Sequence, residues 1–316
     1  MINKDNITIL KMLYNQNDYV SGEHIAEYFN ISRMAVNKRI KDLKESFEIE
    51  AHTNKGYILK NRDIIRIWEI EDYIKNSSLF SEFIYLNEID STNLFIKNNI
   101  SKLSNGTIVY TEKQVQGRGR LGRSWIDFSK GLKFSILINM KDTPLQKVIP
   151  LTLFTGLCMA KALLSFGIDA KIKWPNDIFL NNKKICGILT ELTGEVDKTD
   201  FIVIGIGLNI NGTNIPNELQ NIATTIENAT KRIYDRTSIL IRFLKEFENN
   251  IDVFLTDGFI KFKEQYKSLC LNLNKNILIN GEKELYCSDI GDNGELICDD
   301  NNKKVVIQSG EVSIRF

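Results

Sequence analysis

The segment Gly117-Arg118-Gly119-Arg120-Leu121-Gly122-Arg123-Ser124-Trp125 sets three glycines and three arginines within nine residues. Glycines free a backbone to approach an anion closely, and guanidiniums supply forked donors that match carboxylate or phosphate oxygens. A phosphate ester is therefore the expected ligand, with a flexible basic surface loop as the alternative. The G-x-G-x-x-G spacing invites a dinucleotide-binding reading, but that fingerprint follows a buried strand and opens a helix. Here arginines fill the intervening positions and the extended run Gly131–Met140 soon follows, which argues against a Rossmann turn. Three further blocks carry polar groups beside apolar strands. Lys173-Trp174-Pro175-Asn176-Asp177 ends a strand next to a rigid proline, and Lys183-Lys184 precedes the apolar run Ile185–Leu189. Val203-Ile204-Gly205-Ile206-Gly207-Leu208-Asn209 is an apolar strand whose glycines permit close packing or close ligand approach.

The elements that must position these groups follow from periodicity. Ile7, Leu10, Leu13 and Tyr14 recur at helical spacing; Ser21 is an N-cap for a second helix with Ile25, Ala26 and Phe29 inward. Ser32 caps a third, with Val36, Ile40 and Leu43 inward, and two short strands around Asn54-Lys55-Gly56 form a wing. Helix Ser32–Glu45 carries Arg33, Lys38, Arg39, Lys41 and Lys44 against Asp42 and Glu45, a local positive face on the element that a helix-turn-helix inserts in the major groove. Ser32, Arg33, Asn37 and Lys38, with Lys55 in the wing, are the candidate DNA contacts; a merely solvated helix face is the alternative. A connecting helix is expected over Arg62–Ser78. Residues 66–272 mix strands with a clear helix over Pro150–Phe166, and the hairpin spacing of Asp177–Asn181 and Lys183–Leu192 points to an antiparallel or mixed sheet. Short alternating runs from residue 273 onward suggest a small β-barrel.

Composition narrows the class. With 316 residues the chain suggests two or three domains, and 43% hydrophobic content is ordinary for a globular protein. A net charge of +1 excludes a uniformly basic coat, so any contact with nucleic acid must be local. The N-terminus lacks the pattern of a secretory signal, and no apolar run approaches the roughly 20 residues of a membrane span. The five cysteines show no metal-ligand spacing and read as reduced thiols of a cytoplasmic protein.

The order and spacing of the four blocks, with Asp90-Ser91-Thr92-Asn93 upstream, resemble the biotin–protein ligase family over nearly the whole chain. The GRGRxGRxW and KWPND blocks are the specific ones. The winged helix in front makes the chain similar to the bifunctional members that also act as biotin operon repressors. The resemblance implies an α+β protein: a winged helix-turn-helix (1–65), a mixed α/β catalytic domain (66–272) and an SH3-like C-terminal β-barrel (273–316). It implies that Ser91, Thr92, Asn93 and Gln114 line a biotin pocket, and that Arg118, Gly119 and Arg120 fold over biotin and phosphate. Arg123, Trp125, Asn176 and Asn209 are implied at the nucleotide, with Trp125 stacked on adenine or, alternatively, a core tryptophan. Lys184 is implied to hold the biotin carboxylate beside the α-phosphate, and Asp177 to help deprotonate the acceptor lysine. Position 121 is Leu where some relatives carry Arg, and Cys186 replaces an aliphatic residue; neither touches the chemistry.

The implied reaction uses ATP and Mg²⁺ to convert biotin into biotinyl-5′-AMP, then transfers biotin to a lysine of the biotin carboxyl carrier protein. The implied DNA partner is the operator of biotin genes, bound by a ligand-induced homodimer with the adenylate as corepressor and no membrane association. Lipoate–protein ligases share the catalytic fold and are the nearest enzymatic alternative. A regulator that binds biotin without transferring it is the alternative from another class.

Overall fold

The structure is a computed structural model describing residues 2–140, 150–195, 198–301, 303–310 and 312–314, with the side chains of 193–200 left aside. It opens with helices α1 (Lys4–Asn15), α2 (Gly22–Phe29) and α3 (Arg33–Lys44), followed by the hairpin β1 (Ile49–His52) and β2 (Gly56–Leu59). Ser21 Oγ accepts from His24 N at 3.0 Å and Ser32 Oγ from Ala35 N at 3.2 Å, so both expected caps form. Asn54 (φ 69°) and Gly56 (φ 109°) turn the wing through the left-handed region. A Cβ at Gly56 would lie 2.0 Å from the carbonyl oxygen of Val20, so only glycine fits where the wing meets the loop before α2.

The expected long connecting helix is shorter: α4 covers Ile67–Ile74 only. The residues ahead of it are drawn into a clasp that helical geometry would break. Asp63 Oδ1 accepts from Arg236 Nε at 2.9 Å, and Arg66 Nη1 donates to Asp235 Oδ2 at 2.6 Å.

The central body is a seven-stranded sheet in the order β3-β4-β7-β11-β10-β9-β8. Its strands are β3 (Glu82–Ile89), β4 (Thr107–Gln114), β7 (Lys130–Asn139), β8 (Lys171–Lys173), β9 (Asp177–Leu180), β10 (Lys183–Glu195) and β11 (Lys198–Asn211). Only β3 and β4 pair in parallel among the described strands, so the sheet is mixed as the hairpin spacing indicates. The β9–β10 turn is Asn181-Asn182, both at positive φ, which suits a tight hairpin.

The period of two divides the sheet's faces. Phe134, Ile136 and Ile138 of β7 and Ile202, Ile204 and Ile206 of β11 point to one face. That face is covered by α6 (Leu151–Leu164) and α8 (Arg236–Asp257) through ring contacts such as Phe134–Phe243 and Phe154–Phe254. The other face carries Val109, Leu137 and Val203 under Ile96 of α5 (Thr92–Asn99). Between α6 and α8 in the chain order, α7 (Ile226–Thr230) packs on β11, and α9 (Lys263–Leu269) leads to the C-terminal strands.

Those strands, β12 (Lys275–Ile279), β13 (Lys283–Ile290), β14 (Leu296–Asp300), β15 (Lys303–Ile307) and β16 (Val312–Ile314), form a five-stranded antiparallel sheet ordered β15-β14-β13-β12-β16. Of the last expected strand, Glu311, Arg315 and Phe316 lie outside the described residues. Trp174 ties this sheet to the central body, its Nε1 donating to Gly294 O at 2.8 Å. The five cysteines are free, and no helix among the described residues is long and apolar enough to cross a membrane.

Candidate active site and candidate DNA interface

The site is built on the α5 face, where cross-strand rows run over β10, β11 and β7. One row is Leu189, Gly205 and Ser135; the next is Gly187, Gly207 and Lys133. The two glycine positions of β11 are explained by what lies above them. A Cβ at Gly205 would sit 2.2 Å from Asn93 Oδ1, and one at Gly207 would sit 2.6 Å from Trp125 Cε2. Gly187 meets the same indole at 3.0 Å, so adjacent strands lay a side-chain-free floor for the ring.

Above this floor opens a cavity of about 210 Å³. One wall starts at the N-terminus of α5, where Ser91 Oγ caps the helix by accepting from Leu94 N. Thr92 donates from its N–H to Gln114 Oε1 at 2.9 Å, and Asn93 Oδ1 accepts from Ser135 Oγ at 2.5 Å. Asn93 Nδ2 donates to Glu191 Oε2 at 2.7 Å, and Lys97 Nζ holds the other Glu191 oxygen at 2.8 Å. Burial pushes the Glu191 carboxyl up, but the Lys97 ammonium and the Asn93 amide outweigh it and hold the group below the usual carboxylate range.

The opposite wall is the glycine-rich loop. Strands β5 (Gly117–Arg118) and β6 (Ser124–Trp125) pair, and Gly119 N donates to Arg123 O at 2.7 Å, closing a turn with Leu121 at its tip. Arg120 Nη1 donates to Asn176 Oδ1 at 3.0 Å, while Asn176 Nδ2 donates to Ile188 O at 3.1 Å. Trp125 Nε1 is buried without a hydrogen-bond partner, an orphaned donor beside the cavity.

Lys184 stands between the walls. Lys184 keeps its register with Phe179 of β9, and its backbone bonds to Ile222 O and Thr224 N at 2.9 Å each. Its Nζ lies 2.7 Å from Asp177 Oδ1 in an ion pair and 5.5 Å from the centre of the Trp125 ring.

Of the residues singled out from sequence, Ser91, Thr92, Asn93, Gln114, Arg118, Gly119, Arg120, Arg123, Trp125, Asn176, Asp177 and Lys184 all line this one cavity. Asn209 does not; it is 3% exposed and accepts from Ser129 Oγ at 3.1 Å. Sequence reasoning passed over Ser135, Glu191, Asp127 and Lys133, together with Gly310, Val312 and Ser313, which the C-terminal sheet contributes to the wall. The cavity joins a polar, hydrogen-bonded floor to a cationic loop, which suits a ligand with an amide-like head and an anionic end.

A sequence model of the biotin/lipoate A/B protein ligase family matches residues 85–209, and a helix-turn-helix model matches residues 6–58. The bifunctional ligase/repressor BirA of Bacillus subtilis is 33% identical, over 94% of each chain. Its namesake from Escherichia coli is 30% identical, covering 99% of this chain and 98% of that one. The chain belongs to the family of bifunctional biotin ligase/repressors. Among solved structures, a biotin protein ligase from Aquifex aeolicus in complex with biotin and ATP superposes with a TM-score of 0.66 at 34% identity. It covers 75% of this chain and 99% of its own length.

In the winged helix, Ser32 caps α3, and Arg33, Asn37, Lys38 and Lys55 are all exposed. Arg33 Nη2 pairs with Glu23 at 2.7 Å, Asn37 accepts from the Tyr57 hydroxyl of the wing, and Lys55 lies 5.7 Å from the centre of the Tyr19 ring. The Asn37–Tyr57 bond joins helix to wing, with Arg33, Lys38 and Lys55 exposed on the two.

Proposed function

We propose that this chain activates biotin with ATP to biotinyl-5′-AMP, transfers it to a carrier-protein lysine, and represses biotin genes with the adenylate as corepressor. The observation that carries the reading is the position of Lys184, between a hydrogen-bonded polar floor and an aromatic, arginine-bearing loop. Ser91, Thr92, Asn93 and Gln114 satisfy the polar edge of biotin, which must be paired once buried. Trp125, Arg123 and Asn176 take the nucleotide, the indole offering its face to adenine.

A carboxylate repels the triphosphate it must attack. Lys184, Arg118 and Arg120 neutralise both partners while the carboxylate oxygen bonds to the α-phosphorus and pyrophosphate leaves. The mixed anhydride is prone to hydrolysis, and the loop carrying Gly119 excludes water from it. The amine of the carrier lysine then attacks the carbonyl carbon, AMP leaves, and Asp177 takes the amine's proton. Mg²⁺ would enter with ATP, held by the phosphate oxygens and neutralising their charge; among the described residues no group of three or more His, Cys, Asp or Glu forms a cage for it. The reaction, which draws on ATP and a carrier protein, is assigned to the cytoplasm. Two-fold operator reading by one short winged helix per chain calls for a homodimer formed when the adenylate accumulates, with Ser32, Arg33, Asn37, Lys38 and Lys55 facing DNA.

Pyrophosphate release from ATP, with biotin or lipoate as the acid, tests the reading. Biotin-dependent release is expected, and Lys184→Ala should slow it by about 10²–10³. Release with lipoate alone would transfer the site to lipoyl chemistry, and biotin binding without release would leave a sensor.

A further inference from the structure

Lys133 is 3% exposed, on the row of the sheet that faces the cavity, directly opposite Gly207. A buried ammonium demands a partner, and this one has Asp127 Oδ1 at 3.2 Å and the carbonyl of Ser129 at 3.2 Å. Burial pulls the ammonium's affinity for its proton down, and the Asp127 carboxylate and, more distantly, Glu112 act against that pull, while the Arg236 guanidinium adds to it. Asp127 also reaches elsewhere: its Oδ2 accepts from the backbone N–H of Gln114 at 3.0 Å. Gln114 is the residue whose side chain receives Thr92 on the floor, and Asp127 lies two residues beyond Trp125, at the root of the loop.

We infer that the buried Lys133–Asp127 pair is a positioning device that fixes the root of the nucleotide-side loop to the biotin-side floor, so that both halves of the cavity share one anchor. The inference rests on the ligase reading above. Both neighbours of Asp127, the Lys133 ammonium and the Gln114 amide, are donors. Only a carboxylate offers two acceptor oxygens at that point; an asparagine could serve one neighbour and would leave the other buried and unmade. Removing Lys133 instead leaves a carboxylate, 8% exposed, without its cation. Either loss lets the Gln114 amide and the Trp125 root drift independently, so biotin affinity and adenylate retention should fall together.

The test compares wild type with Lys133→Met, Asp127→Asn and the double variant in the full chain. Biotin binding is followed by calorimetry, pyrophosphate release by KM and kcat, and biotinyl-5′-AMP dissociation by quenched flow. Each single variant should raise the KM for biotin and speed adenylate loss, by on the order of 10- to 100-fold for a displacement near an ångström. The double variant should recover most of both losses, because asparagine then has only the Gln114 amide to satisfy. A merely structural pair would lower the melting temperature and leave KM and adenylate dissociation of the folded protein at wild-type values, and that result would overturn the inference. If Lys133→Met does not fold, the near-isosteric Asp127→Asn carries the same comparison. Wild-type pyrophosphate release is the control that separates failure of the anchor from failure of the ligase reading.

Discussion

The floor and the loop of the cavity are built on opposite plans. On the floor, Thr92, Asn93, Gln114, Ser135 and Glu191 form a closed chain of hydrogen bonds, buried or half-buried and anchored on sheet and helix. These bonds fix Thr92, Asn93, Ser135 and Glu191 against one another, so the shape exists before a ligand arrives. On the loop side, Leu121 is 74% exposed at the tip of a turn closed by two backbone bonds, Gly119 N to Arg123 O and Arg123 N to Arg120 O, and Trp125 keeps an unsatisfied N–H. Such a segment leaves an exposed tip and one unmet donor for a ligand to engage. The difference teaches a division of labour. On the proposed reading, the part that takes a neutral polar head is preorganised, which limits the entropy lost on binding. The part proposed to admit ATP, close over the adenylate and release AMP is left adjustable.

Two glycines, one under each region, offer the sharpest way to break that contrast. A methyl at Gly205 would lie 2.2 Å from Asn93 Oδ1, and Asn93 cannot retreat without giving up Ser135 and Glu191. Overpacking of this kind costs about 1–3 kcal/mol before lost hydrogen bonds are added. Gly205→Ala should therefore weaken biotin binding by roughly 100-fold or more, read by calorimetry without ATP. A methyl at Gly207 meets the Trp125 ring at 2.6 Å, but that ring belongs to the adjustable loop and can lift. Gly207→Ala should leave biotin affinity within about 3-fold and raise the KM for ATP by about 10-fold. Equal losses of biotin affinity in the two variants would erase the distinction between floor and loop.

Acid separates the regions more gently. Because Glu191 sits below the ordinary carboxylate range when folded, its contribution is fully present above that range and is lost as pH falls through its lowered value. Biotin affinity should hold near neutrality and decline only once pH falls below the ordinary carboxylate range, as protonation frees Asn93 and Lys97. Glu191→Gln, which keeps an acceptor for Asn93 but carries no titrating group, should flatten the profile at slightly reduced affinity. An unchanged pH profile in that variant would remove Glu191 from the floor's support.

Much of this contrast is legible in sequence, and the illegible part has one physical cause. Local signals are strong where chemistry is local: Ser21 and Ser32 as caps, the Asn54–Gly56 turn, and the arginine-bearing loop. The long helix Arg236–Asp257 also has its signal, in Ile239, Leu240, Phe243, Leu244 and Phe247, although the motif blocks draw the eye elsewhere. What stays hidden is pairing across distance. Ser135 meets Asn93 from 42 residues away, Glu191 meets it from 98, and Arg236 reaches Asp63 across 173. A lysine in an apolar strand reads as a defect until Asp127 is found beside it. Asn209 shows the reverse limit: a motif names it, but a register shift after Leu208 carries it off the cavity wall to Ser129.

The smallest expected effect tests whether the loop's shape resides in its backbone. Leu121 has φ 54° and ψ 37°, a left-handed conformation that a leucine adopts only at a cost, and its exposed side chain offers little packing in return. Glycine adopts that conformation freely, so Leu121→Gly should preserve the Gly119–Arg123 turn and change adenylate dissociation by less than about 2-fold. A β-branched residue resists the same angles more strongly. Leu121→Val should strain the turn by about 1–2 kcal/mol and speed adenylate loss by roughly 5-fold or more, with biotin affinity untouched. If valine and glycine behave alike, the turn is not what holds the closed loop, and the arginine contacts alone must do so. If either variant shifts biotin binding, the tip communicates with the floor by a route beyond the Asp127 anchor at the root of the loop.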